Sequence, residues 1–137
     1  MVQAARQSGT ADRRAVFELF PRRLPAGRRY GVVAGVGRAL DALEDFRFDA
    51  CVLTALEGVV DPDMLEWLAS YRFSGDVWGY AEGEAYFPYS PLLVVEGTFA
   101  EAVLLETVLL SIYNHDSAIA SAASRMTLAA GGRPAPW

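Results

Sequence analysis

Four arginines stand in two adjacent pairs around a short loop. Arg22-Arg23 and Arg28-Arg29 flank residues 24–27, which include a proline and a glycine. The chain has a formal net charge of −5, and all 12 of its basic residues are arginine. A planar guanidinium group donates paired hydrogen bonds that fit phosphate oxygens. The arrangement indicates a polyphosphate-binding loop, with a solvated surface loop as the structural alternative.

Two acidic side chains, Glu82 and Glu84, are two positions apart in a segment with strand-like alternation. Residues at this spacing face the same side of a strand, so paired carboxylates for acid–base chemistry or metal binding are geometrically possible. No companions that would form a pocket are readable nearby. The pattern favours solvated charges of a hairpin.

His115 and Cys51 could form a base and a nucleophile, with Asp116 orienting the imidazole ring. Neighbouring residues on a helix point in different directions, so Asp116 is poorly placed for that role. The sequence favours a buried or interface His115 with one hydrogen bond, and a Cys51 that is a small core residue. One cysteine and one histidine exclude a zinc cluster built from this chain alone.

Gly35-x-Gly37 lies between a predicted strand and a predicted helix, where a dinucleotide-binding loop would be. Leu40 occupies the position of the third glycine in that motif. An ordinary strand-to-helix turn is therefore favoured, and a nucleotide binder that uses this turn remains an alternative.

Composition excludes several classes of function. The absence of lysine excludes a Schiff base, a Walker-A lysine and a lysine carrying biotin or lipoate. The negative charge argues against nucleic acid and anionic membranes as partners. Charged residues interrupt the apolar stretch 99–130, and residues 1–6 do not resemble a signal peptide. A cytoplasmic protein is expected, and a single cysteine agrees with a reducing compartment.

Hydrophobic periodicity predicts an α+β fold with a small mixed sheet and covering helices. The strands within 76–97 are expected to pack with those within 15–34, while helices within 37–70 cover one side. Predicted strands are 15–20, 30–34, 77–81, 85–87 and 92–97; predicted helices are 1–8, 37–46, 49–57, 62–70 and a helical pair over 99–130 that meets near Asn114.

The segment from Phe99 onward is apolar almost all round, and a helix of this kind needs cover on every side. Exposure of Val103, Leu104, Leu105, Val108, Leu109 and Ile112 would give a patch larger than monomers tolerate. The sequence therefore predicts a fragment or an obligate oligomer that associates when isolated.

Three blocks in a fixed order carry a family resemblance. They are VFELFPRRLPAGRRYGVVAGV at 16–36, LEWLASYRFSGDVWGYAEGEAYFPYSPLLVVEG at 65–97 and FAEAVLLETVLLSIYNHDSAIASAASRM at 99–126. Together they resemble the N-terminal part of nicotinate phosphoribosyltransferases, and the likeness extends from Met1 to about Pro134. Quinolinate phosphoribosyltransferases share the architecture, but the Phe-Pro-Arg-Arg-Leu-Pro run looks nicotinate-type.

The resemblance implies an enzyme of NAD salvage that joins nicotinate to phosphoribosyl pyrophosphate, with ATP hydrolysis and Mg²⁺. It implies an N-terminal α+β domain at 1–98 and, at 99–137, the helical start of an α/β barrel. Family members form dimers whose active sites receive residues from the partner's N-terminal domain. By resemblance, Arg22 and Arg23 contact the substrate phosphates across that interface. No catalytic residue and no metal ligand is expected in this chain.

The likeness also has departures. Relatives begin earlier, with a T-D-x-Y-E-L-T-M helix whose tyrosine stacks on nicotinate, and they continue into a G-R-P-x-x-E-x-G-x-R-R strand where this chain reads 132–137. These departures imply an N-terminal fragment that is inactive alone. The alternative is a non-catalytic interaction or dimerisation module, or a split subunit that needs a barrel-bearing partner.

Overall fold

The computed structural model describes residues 1–133, so the expectation for 134–137 lies outside the described residues. The elements follow the predicted order closely. They are helices α1 (Val2–Gln7), α2 (Val36–Asp45), α3 (Ala50–Leu56), α4 (Pro62–Ser70) and α5 (Phe99–Ala130), and strands β1 (Arg14–Leu19), β2 (Gly31–Val32), β3 (Asp76–Gly79), β4 (Ala85–Tyr86) and β5 (Leu93–Thr98).

The strands form two small antiparallel sheets. β5 lies in the centre of one sheet, with β1 and β3 on its two sides. β2 pairs with β4 in the other. The predicted pairing of the later strands with the earlier ones is confirmed, and so is the α+β class.

The main core lies between the sheets and α5. Leu105 of α5 and Val33, just after β2, are each 0% exposed, and Leu93 and Val95 of β5 pack in the same cluster. Strand residues that alternate in burial along β5 supply one side of this core.

The predicted break near Asn114 is wrong, because α5 is one continuous helix of 32 residues. Its sequence holds neither glycine nor proline, so nothing in it interrupts the hydrogen-bond ladder. The Thr98 side chain accepts a hydrogen bond from the Glu101 N–H at the start, and Gly131 in the left-handed conformation ends the helix.

The first half of α5 is covered by its own chain, in contrast to the prediction of an exposed apolar face. Leu105, Leu109 and Ile112 are buried, while Val103, Leu104 and Val108 are half-buried. The exposed large apolar residues of α5 start at Leu110 and become more exposed later, at Ile119, Met126 and Leu128. Periodicity located the apolar positions, but it does not tell which neighbours cover them.

Small residues in the second half of α5 allow a strand to approach closely, as their size predicted. The Ser121 hydroxyl accepts a hydrogen bond from the Val32 N–H at 2.8 Å, and the Ser117 hydroxyl accepts one from the Ala34 N–H at 3.1 Å. The Tyr30 hydroxyl and the Ser124 hydroxyl are 2.8 Å apart. Serines of α5 therefore accept hydrogen bonds from backbone N–H groups in β2 and just after it.

Candidate functional site

The loop between β1 and β2 carries both arginine pairs and lies beside α5. Together they enclose a cavity of about 310 Å³. The residues that line it include Phe20, Arg22, Arg23 and Arg28 from the loop, and Tyr113 and Asn114 from α5. The loop residues and the α5 residues are separated by about 90 positions in sequence. Periodicity therefore gave no sign that α5 forms the opposite wall.

The guanidinium groups of Arg22 and Arg23 are available to a ligand. Both residues are exposed, and neither forms an ion pair within residues 1–133. Arg28 is half-buried on the same cavity, whereas Arg29 is exposed and does not line it. Three unpaired cations on one concave surface attract an anion, because their mutual repulsion falls when negative charge binds between them.

The opposite wall includes a tyrosine with an unusual environment. Tyr113 is 2% exposed, and its hydroxyl has no hydrogen-bond partner within residues 1–133. Burial raises the pKa of this hydroxyl, with a further rise from the negative charge of Glu82. The group is therefore neutral and can only donate or accept a hydrogen bond.

Glu82 is a helix cap, which the sequence did not predict. Its two carboxylate oxygens accept hydrogen bonds from the Gly35 and Val36 N–H groups at 2.9 and 2.8 Å, at the start of α2. A carboxylate at a helix N-terminus also interacts favourably with the helix dipole. Glu84 is exposed and makes no such contact in the part of the chain described, so the interpretation as solvated charges holds for Glu84 only.

The capped turn also argues against the dinucleotide hypothesis. The N–H groups that would hold a phosphate already bind Glu82. Gly35 has φ 94°, and a side-chain carbon there would lie 2.8 Å from Asp116 Oδ2, so this glycine is required by backbone conformation and space. A side-chain carbon at Gly37 would meet no other atom within 4 Å, so space does not require a glycine there.

The proposed pairing of His115 with Cys51 receives no support. Cys51 is exposed on α3, so it is not the core residue that was predicted. His115 is exposed on α5 and makes one hydrogen bond, as predicted, while its place in an interface stays a prediction. Asp116 contacts His115 after all, because Nδ1 of the ring turns back to within 2.7 Å of Oδ1.

Asp116 connects two helices. Nη1 of Arg38 on α2 lies 2.6 and 2.8 Å from its two oxygens. The hydrogen bond from His115 and then the guanidinium of Arg38 hold the pKa of Asp116 below its usual value. This carboxylate therefore stays ionised and joins α5 to α2, which is a structural role.

Within residues 1–133, no group of three histidine, cysteine, aspartate or glutamate side chains is arranged to hold a metal ion. In the same range, no helix combines the length and apolar composition that a membrane crossing requires.

Comparison with known proteins gives one consistent family. Residues 1–114 match the model of the nicotinate phosphoribosyltransferase N-terminal domain. A nicotinate phosphoribosyltransferase of Mycobacterium tuberculosis is 61% identical over 134 residues, which cover 98% of this chain and 30% of that protein. One from Bacillus subtilis is 36% identical over 128 residues, covering 92% of this chain and 26% of that protein.

A solved structure of the same family agrees. Human nicotinic acid phosphoribosyltransferase superposes with a TM-score of 0.91 at 33% identity, over 98% of this chain and 28% of the human chain. The chain spans about 30% of the length of the curated relatives it matches. It belongs to the nicotinate phosphoribosyltransferase family, and it matches the N-terminal domain of that family.

Proposed function

We propose that this chain serves the transfer of a phosphoribosyl group to nicotinate, as the names of its relatives state for them. The segment matches less than a third of those relatives, so the activity is proposed for a protein in which it acts together with the remaining part. The observation that carries the proposal is the cavity lined by Arg22, Arg23 and Arg28.

The chemistry suits a cluster of guanidinium groups. In the proposed reaction, the pyridine nitrogen bonds to the anomeric carbon of the ribose as the bond to the pyrophosphate oxygen breaks. Negative charge then develops on the departing pyrophosphate. Arg22 and Arg23 lower the energy of the transition state if they donate hydrogen bonds to those oxygens.

Within residues 1–133, no side chains are grouped to bind a resident metal. Mg²⁺ would therefore depend on the phosphate oxygens and on residues outside this range. ATP, whose use the family resemblance implies, would likewise act elsewhere in the enzyme. We assign no catalytic residue and no step through either group to this chain.

The assembly is also part of the proposal. Residues 1–98 serve as the N-terminal domain and 99–137 as the start of a barrel domain, in a homodimer or a complex with a barrel-bearing partner. Arg22 and Arg23 then reach phosphates bound in the other subunit, which agrees with their exposure here. A cytoplasmic location fits the exposed, unpaired Cys51.

A chimaeric enzyme tests the proposal. Residues 1–133 replace the matching segment of the Mycobacterium tuberculosis relative, and the double variant Arg22→Gln/Arg23→Gln is compared with the parent. Loss of charged hydrogen bonds of about 1.5–3 kcal/mol each predicts that kcat/KM for phosphoribosyl pyrophosphate falls by about tenfold or more per arginine, with the KM for nicotinate unchanged.

The matched control is Arg47→Gln, since Arg47 is exposed and its side chain forms one hydrogen bond within residues 1–133, to the adjacent Phe46 carbonyl. Equal kinetics of the double variant and this control would refute the assignment of Arg22 and Arg23. The 137-residue chain alone is expected to form no nicotinate mononucleotide. Product formation by the chain alone would refute the dependence on a further part.

A further inference from the structure

A tight turn before β5 carries a backbone conformation that its residue type does not favour. Tyr89 has φ 65°, and it is the one residue other than glycine with positive φ in the part of the chain described. Pro88 precedes it, and the Ser90 N–H donates to the Phe87 carbonyl at 3.1 Å. Proline second and positive φ third are the marks of a type II turn, whose third position favours glycine or asparagine.

The side chain of Tyr89 gives the fold little in return for this conformation. It is 71% exposed, so the ring contributes little to the core. An aromatic residue at a position where glycine would be less strained is a reason to look for a function.

The backbone of Tyr89 contacts the arginine loop directly. Its N–H donates a hydrogen bond to the Pro21 carbonyl at 2.8 Å, immediately before Arg22. The Leu92 N–H donates to the Leu19 carbonyl at 2.8 Å, so the turn follows the chain from the end of β1 into the loop. In a type II turn, the orientation of the peptide that carries this N–H requires positive φ at the third residue, so the conformation of Tyr89 keeps the N–H directed towards Pro21.

The ring of Tyr89 makes a second contact with the same segment. It lies 6.2 Å from the ring of Phe20, centroid to centroid, at a tilt of 32°. Phe20 lines the cavity with Arg22 and Arg23. Tyr89 thus contacts both Phe20 and Pro21, the two residues that directly precede the arginine pair.

We propose that Tyr89 is a positioning residue for Arg22 and Arg23: its N–H fixes the Pro21 carbonyl, its ring packs on Phe20, and the two contacts set the direction in which the arginine pair leaves β1. The effect on the enzyme rests on the proposed function, in which that pair binds pyrophosphate oxygens. The effect on the loop itself does not.

Three variants separate the backbone from the ring. Tyr89→Phe keeps both the conformation and the ring. Tyr89→Gly keeps the turn and the N–H contact but removes the ring. Tyr89→Val opposes positive φ, because a β-branched side chain is strongly disfavoured there.

Order of the Arg22 and Arg23 backbone is measured in the 137-residue chain by ¹⁵N relaxation and amide exchange. We expect an ordered loop in the wild type and in Tyr89→Phe, a partly ordered one in Tyr89→Gly, and a mobile one in Tyr89→Val. An equally ordered loop in Tyr89→Val and wild type overturns the proposal.

The same variants are then placed in the chimaera. Tyr89→Val should lower kcat/KM for phosphoribosyl pyrophosphate about fivefold or more and leave the KM for nicotinate unchanged, with Tyr89→Phe near wild type. A mobile loop with unchanged kinetics refutes the positioning role. If Arg22→Gln/Arg23→Gln is also silent, the proposed function fails while the loop measurement still stands.

Discussion

Two buried tyrosines differ in whether the hydroxyl group has a hydrogen-bond partner, and the comparison tests the cost of the hydroxyl on the cavity wall. Tyr71 and Tyr113 are both 2% exposed, but the Tyr71 hydroxyl donates to the Glu101 carbonyl at 2.9 Å while the Tyr113 hydroxyl has no partner in the described part of the chain. An unsatisfied buried polar group costs about 1–3 kcal/mol. We expect Tyr113→Phe to raise the free energy of unfolding by about 1 kcal/mol, measured by urea denaturation.

The matched control is Tyr71→Phe, which removes a hydroxyl that has a partner and should lower the free energy of unfolding by about 1 kcal/mol. A destabilised Tyr113→Phe would mean that its hydroxyl has a partner, such as a bound water molecule, in solution.

Side-chain identity did not report surroundings. Arg22 and Arg23 are exposed on the cavity, whereas Arg29 does not line it, and phosphate binding by the first pair stays a prediction. Glu82 and Cys51 were assigned the wrong surroundings. Glu82 binds N–H groups 46 and 47 positions away, and no local pattern reports a contact at that distance.

At the level of elements, α2 depends on a cap from a different part of the chain. Its own N-cap residue is Gly35, which has no side chain to accept from the free N–H groups. Glu82 fills this role, so Glu82→Ala should lower the free energy of unfolding by about 1–2 kcal/mol, measured by urea denaturation. Glu84→Ala serves as the control and should change stability little. A similar loss in both variants would contradict the cap.

Strand and helix positions were well predicted because local patterns specify them. Each predicted element is present to within a few residues, since alternation marks the strands and proline or glycine marks the ends. The length of α5 was not predicted. Asn114 suggested a break, yet its neighbour Asp116 is held by Arg38 on another helix, and that contact supports a continuous helix.

For the whole molecule, composition alone could not show where apolar surface remains exposed. The sequence predicted more apolar surface than a small domain covers and placed the excess on the first half of α5. That half is instead packed against residues of β5, α1, α2 and α4, and the exposed large apolar residues of α5 lie from Leu110 onward. Ile119 and Met126 are each 57% exposed and seven residues apart, so they lie on nearly the same side of α5.

We therefore expect the isolated 137-residue chain to associate through this part of α5. The double variant Ile119→Gln/Met126→Gln should weaken association, because polar side chains replace apolar area that association would remove from water. Sedimentation velocity over a range of concentrations measures the effect.

The control is Val59→Gln, since Val59 is 72% exposed but lies between α3 and α4, far along the chain from α5. A wild type that stays monomeric at high concentration, or a control that weakens association as much as the double variant, would refute this location. In a protein that also carries the remaining part found in the relatives, the same face would be available to that part.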